Sequence, residues 1–292
     1  MKKIEKYVNE IKTKIDEKND FYRYITIQND FKLKQQDDIA QYILSKNDNV
    51  YINKKVLNNF QIPKEFKEKI NIEKHIMKSH LNKYEKNELY KPTTKSKSNQ
   101  TEKTICKRLW EQDYMYEKGE DVIKPNSKMN IIDFEVPVIY SKYNVENGKD
   151  TNNRCSGNGA VDLVAKAGNI LYLIEAKDYK SNESLLRCIA EIRTYYEKII
   201  NHDSKNKNYI SAACLIKDSY CISEIKPAIM IFEGTQPYND LKEISNYKYL
   251  NRIAEGITFF SIKFKKCMNI KKTISIDELK SLDFTYDEIK LK

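Results

Sequence analysis

Ala160-Val161-Asp162-Leu163-Val164-Ala165-Lys166, then Ala167-Gly168-Asn169, then Ile170-Leu171-Tyr172-Leu173-Ile174-Glu175-Ala176-Lys177: two short apolar runs stand on either side of a glycine-bearing connection. Their length and aliphatic content predict two strands, and the three-residue connection predicts a hairpin between them. Side chains alternate along a strand, so Glu175 and Lys177 share a face. A hairpin also lays Asp162 beside that face. An apolar strand rarely carries a carboxylate without a partner, because burying a charge costs several kcal/mol unless it is paired or metal-bound.

Outward from this hairpin the pattern is α/β. Thr101 to Glu117 reads as a helix with Ile105, Leu109 and Trp110 inward, and Asn130 to Tyr140 as a strand interrupted by Pro137. Asn182 to Ile200 has Leu185, Ile189, Ile192, Tyr196 and Ile199 on one helical stripe. Tyr209 to Ile216 and Ala228 to Phe232 suit buried strands. A helix near 241–254 and a strand from Ile257 to Phe264 complete the C-terminal part. The resulting order is α-β-β-β-α-β-β.

Ahead of this lies a region of different character. Ile4, Val8, Ile11 and Ile15 recur at helical spacing, and a second helix is expected from Gln36 to Ser45. Asn47-Asp48-Asn49 marks a turn, Val50-Tyr51-Ile52 is a short apolar piece, and a short helix around Val56 and Leu57 would end at Pro63. Helix, turn, helix suits a small DNA-binding module, as it suits any small helical domain. Lys91 to Gln100 is polar and lacks aliphatic or aromatic residues, which makes it the expected linker. The expected organisation is therefore a mainly helical region at 1–98, an α/β core at 99–236 and an extension at 237–292 that packs on the core.

Composition narrows the class. The 292 residues are 40% apolar and 32% charged, enough apolar residue for a sizeable core. No apolar run approaches the roughly 18 residues of a membrane span, and the charged N-terminus does not read as a signal peptide. The six cysteines stand at least seven residues apart, with no zinc-ligand spacing, and the expectation is a reduced, cytoplasmic protein. His75, His80 and His202 are too scattered for a histidine metal site, and there is no phosphate-binding GxxxxGK[ST] loop. The net charge of +10 is uneven: residues 1–100 hold 22 Lys and Arg against 14 Asp and Glu, and the remainder 30 against 28. Even compositional bias would spread that excess, so the first hundred residues are candidates for phosphate contact.

Asp162, Glu175 and Lys177 allow two readings. One is a strand-end ion pair, Asp162 with Lys177 or Glu175 with Lys180. The other is a Mg²⁺ site, since two carboxylates can hold that hard cation while an adjacent lysine orients or deprotonates a bound water. Glu102 falls on the stripe of Ile105 and Leu109 and could point toward the sheet, or could form a capping pair with Asn99. Glu111 and Glu117 read as solvated. Glu135 reads as a strand-edge residue facing solvent before a site residue. Arg187 and Glu191, four apart, read as an ordinary helical pair.

Gly159-Ala160-Val161-Asp162, followed after twelve intervening residues by Glu175-Ala176-Lys177, resembles the motif of the PD-(D/E)XK nuclease superfamily, the restriction-endonuclease-like fold. Val161 stands where the family name has proline. The resemblance covers about residues 100–235 and implies an α-β-β-β-α-β core around a mixed sheet. It also implies divalent-metal-dependent hydrolysis of phosphodiester bonds, in DNA more often than RNA. On that resemblance Asp162, Glu175 and the Ala176 carbonyl would hold Mg²⁺, or Mn²⁺ in its place, and Glu102 would assist. Lys177 would position or activate the attacking water, and Arg187 would be an auxiliary near the phosphate. Nucleic acid is then the expected partner, a membrane is not, and the chain could also pair with a second copy of itself. The rival from another class is a non-catalytic module that binds nucleic acid or protein on the same fold.

Overall fold

A computed structural model describes residues 32–46, 98–122, 124–126, 128–137, 139–141, 160–200, 209–211, 222–265 and 274–291, together with Lys6, Asn9, Glu10 and Thr13. The expected helix through Ile4–Ile15, apart from those four positions, and the expected elements at 50–63 lie outside the described residues. So does most of the expected linker, whose last three residues are already helical.

The elements in chain order are α1 (Leu33–Lys46), α2 (Ser98–Glu117), β1 (Asn130–Pro137), β2 (Ile139–Ser141), β3 (Ala160–Ala167), β4 (Ile170–Ala176), α3 (Leu185–Ile200), β5 (Tyr209–Ser211), β6 (Glu224–Phe232), α4 (Gln236–Lys242), α5 (Lys248–Ile253), β7 (Thr258–Phe264), α6 (Ile276–Lys280) and β8 (Phe284–Glu288). Six strands form one mixed sheet in the order β1-β3-β4-β6-β7-β8. The β1/β3, β3/β4 and β7/β8 pairs are antiparallel, and β4/β6 and β6/β7 are parallel. β2 and β5 pair separately, so Tyr209–Ser211, the described part of the run expected from Tyr209 to Ile216, lies outside the main sheet.

The hairpin is tighter than the spacing predicts. β3 continues through Ala167, leaving Gly168 and Asn169 as a two-residue turn. Gly168 takes φ 59°, the positive value that primed hairpin turns require and that glycine adopts without steric cost.

Alternation along the strands builds a core on each face. Val164, Leu171 and Leu173 face α3, whose Leu185, Ile189 and Ile192 are fully buried. Leu163, Ala165 and Ile174 face α2 through Ile105, Leu109 and Trp110. An aromatic group of Phe232, Phe264 and Phe284 continues that second layer under β8.

α1 belongs to the first core, where Ile39, Ala40 and Ile43 are fully buried with α3 and α5. Two adjacent polar residues dock it. Gln36 Oε1 accepts from Leu186 N (3.0 Å) in the first turn of α3, where Ser184 Oγ accepts from Arg187 N (3.3 Å). Asp37 Oδ1 accepts from Tyr249 N (2.7 Å) and Leu250 N (2.8 Å) at the start of α5. Helix N-termini leave backbone amides without intrahelical partners, and α1 supplies acceptors to two of them. Among the described residues, no helix is long and apolar enough to cross a membrane.

Candidate functional site

The register across three strands sets the site. β1 and β3 pair Phe134 with Leu163 and Val136 with Val161, so Glu135 falls across from Asp162. β3 and β4 pair Leu163 with Ile174, and the same register carried one residue further sets Asp162 across from Glu175. Three carboxylates thus occupy neighbouring positions on adjacent strands, at the C-terminal end of β4. Like charges directly opposite one another destabilise a sheet unless something compensates.

Several groups do so in part. Asp162 Oδ2 accepts from Ala176 N at 2.9 Å, its side chain serving where the ladder ends. Glu135 Oε2 accepts from Lys103 Nζ at 2.6 Å, which turns it inward rather than to solvent. Its backbone is at φ 52°, the one positive value at a non-glycine among the described residues, a conformation of the kind that persists only when surroundings enforce it. Glu175 Oε1 accepts from Lys177 Nζ at 2.7 Å. Glu175 is 3% exposed, and its Oε2 is buried without a hydrogen-bond donor.

Lys177, 5% exposed, has further partners from the α3 side. Glu191 Oε2 lies 3.2 Å from Nζ and Glu183 Oε2 3.3 Å. Arg187 Nε is 3.2 Å from Glu183 Oε2, and Tyr195 Oη donates to Glu191 Oε1 at 3.4 Å. Arg187 and Glu191 are therefore more than a surface helical pair: Glu191 reaches into the strand site.

The electrostatics follow from this crowding. Burial first, then Glu102, pushes the Asp162 carboxyl well above its ordinary range. Burial, then Asp162 and Glu191, does the same to Glu175. Burial also pushes the Glu191 carboxyl up, but Lys177 and Arg187 outweigh it and hold the group below its ordinary value. A hydrogen bond with the Glu175 side chain lowers Glu191 further. Burial disfavours the Lys177 ammonium, but Glu175 and Glu191 outweigh it and hold the group above the ordinary lysine value. Lys177 thus remains charged at neutral pH. Of the two expected roles, orienting water as a donor suits its surroundings and deprotonating it does not.

Glu102 projects from the second turn of α2 into the same field. Burial raises its carboxyl to about 7, against the pull of Lys177 and with the push of Glu183. α2 includes Asn99, whose side chain lies outside the described residues, and with it the expected Asn99–Glu102 capping pair. Glu111 pairs with Lys107 (3.2 Å) and Glu117 accepts from Asn130 (2.7 Å), away from these groups.

Asp162, Glu175 and Glu102 carry carboxylate oxygens, the ligand type that a hard divalent cation takes. Among the described residues no three His, Cys, Asp or Glu side chains converge on one metal position. A Mg²⁺ ion held by one or two carboxylates, water and a substrate phosphate needs no such cage. Glu183 was not legible in the sequence as a site residue, since it lies in the loop ahead of α3 and meets Lys177 only through the fold.

Comparison of the chain with protein-family models, with curated proteins and with solved structures gave no significant match.

Proposed function

We propose that this chain is a Mg²⁺-dependent nuclease of the PD-(D/E)XK type that hydrolyses phosphodiester bonds in nucleic acid, DNA before RNA. The observation that carries the reading is the row Asp162–Glu175, with Lys177 on the same face and a Glu175 oxygen buried without a donor. The element order supports it: α2, three antiparallel strands β1, β3 and β4, then α3 and the parallel strand β6. With β2 and β5, which pair outside the main sheet, set aside, this order is consistent with the α-β-β-β-α-β core that the motif resemblance implies. In open α/β sheets, ligands gather at the carboxyl ends of strands, and Glu175 stands at that end of β4.

Asp162, Glu175 and the Ala176 carbonyl would hold the cation, assisted by Glu102. When bound, a divalent ion polarises the phosphate and lowers the pKa of water. Lys177, kept as an ammonium, donates to the attacking water or a phosphate oxygen and fixes its direction. Asp162 is itself held in position by the Ala176 amide. The basic first hundred residues would add sequence-independent contact with the phosphate backbone.

A second reading has its own observation. Lys177 already donates to Glu175 and Glu191, and Glu183 lies within ion-pair distance. A closed network of that kind also suits a non-catalytic module that binds nucleic acid or protein. Incubating the full chain with plasmid, linear and single-stranded DNA and with RNA, with and without Mg²⁺, separates the two. The nuclease reading expects Mg²⁺-dependent breakdown of at least one substrate. Binding without breakdown, with no response to Mg²⁺ or Mn²⁺, would favour the module.

A further inference from the structure

An ammonium offers three donors, and the three carboxylates around Lys177 come from different parts of the chain. Glu175 is on its own strand at 2.7 Å, Glu183 in the loop before α3 at 3.3 Å, and Glu191 within α3 at 3.2 Å. Only Glu175 also belongs to the Asp162 row. A cation held by that row would draw Glu175 away from Lys177. If Glu175 were the sole counter-charge, the buried ammonium would be left unpaired, at a cost that would oppose loading or drag the lysine out of place. Glu183 is secured by Arg187 at 3.2 Å, and Glu191 is bonded by Tyr195, so both have anchors independent of the strand.

We propose that Glu183 and Glu191 are positioning residues that keep Lys177 aimed at the strand ends while Glu175 changes partner from the ammonium to the cation. The inference rests on the nuclease reading and assigns it a loading step: one of three ion pairs is exchanged, two persist, and Lys177 gains one donor for water or phosphate. Neither glutamate ligates the cation.

A double-mutant cycle on Mn²⁺ affinity of the full chain, measured by calorimetry, tests this without reference to turnover. Glu183→Gln with Glu191→Gln should weaken Mn²⁺ binding about tenfold more when Lys177 is present than when it is Lys177→Met, because only then does Glu175 become the lysine's last partner. Lys177→Gln serves in place of Lys177→Met if thermal unfolding shows the latter to be misfolded. The same glutamine substitutions should lower kcat for nucleic-acid cleavage while changing KM little. Equal weakening with and without Lys177 would mean that the glutamates ligate the ion or act only through general charge, and would overturn the inference alone. No weakening in either background would also overturn it. Absence of Mn²⁺ binding by the wild-type chain would overturn the nuclease reading and this inference with it.

Discussion

Lys177 Nζ lies 2.7 Å from Glu175 Oε1, two residues earlier on the same strand. Alternation puts the two side chains on one face, and the burial of both makes the pair costly to break. Lys177→Ala should therefore destabilise the cation-free chain by about 3–5 kcal/mol, since it leaves Glu175 buried without its counter-charge. Added Mn²⁺ should restore part of that loss and should still bind, while cleavage stays near zero. Urea unfolding with and without Mn²⁺ measures the first effect. Loss of Mn²⁺ binding in a folded Lys177→Ala chain would mean that the roles are wrongly assigned.

Glu102→Gln separates its two expected roles. The substitution should change helix stability by no more than about 1 kcal/mol. It should reduce Mn²⁺ affinity and cleavage less than loss of Asp162 does. Thermal unfolding and Mn²⁺ titration of the same preparation check both halves.

Gln36→Ala and Asp37→Ala should each cost about 1 kcal/mol in urea unfolding, the usual size of a lost helix cap. Removal of residues 1–98 would strip away α1 with these acceptors and uncover the buried face of α3. Truncation is thus a poor probe of the N-terminal charge.

Lysine-to-glutamine substitution is a cleaner one. Changing Lys54, Lys55, Lys67 and Lys69 together should flatten the salt dependence of DNA binding, by up to about 0.9 in log–log slope for each lysine that neutralises a phosphate. Fluorescence anisotropy at several salt concentrations measures it. An unchanged slope would show that these lysines do not contact phosphate.

Asp113 lies apart from the site. It is 1% exposed, Oδ2 accepts from Ile131 N at 2.7 Å, and Oδ1 has no partner. Burial raises its carboxyl to about 7, although the Ile131 amide opposes this. A raised folded value means that the native state favours the protonated acid. That contribution is full below the ordinary aspartate range and is lost as pH rises through about 7. Asp113→Asn keeps an acceptor for Ile131 and removes the titration. Its stability relative to wild type should therefore improve by about 2–3 kcal/mol between pH 5 and pH 8, as measured by urea unfolding at both values.

The strands around Asp162 and Glu175 were legible because their alternation and the short connection are local properties of the chain. The partners of Lys177 were not. Glu191 is four residues from Arg187, and local reading pairs them, whereas the docking of α3 on β4 sends the Glu191 carboxylate to the lysine. Glu135 reads as a strand-edge residue because nothing in the sequence signals its positive φ or its pairing with Lys103. Nothing in the sequence signals the docking role of Gln36 and Asp37, since the amides they bond lie 150 and 212 positions away. β8 is short and polar toward its end, and it becomes a strand by pairing with β7 over the aromatic layer.

Cleavage of supercoiled plasmid by wild type and by Asp162→Asn, side by side in Mg²⁺ and in EDTA, tests the nuclease assignment most directly. The asparagine keeps an acceptor for Ala176 N and nearly the same volume but loses the charge that would hold a cation. Wild type should nick or linearise the plasmid in Mg²⁺ alone, and a folded Asp162→Asn chain should do so at least about a hundredfold less, on the order of a lost transition-state stabiliser. Equal cleavage by both proteins, or cleavage that persists in EDTA, would contradict the nuclease assignment.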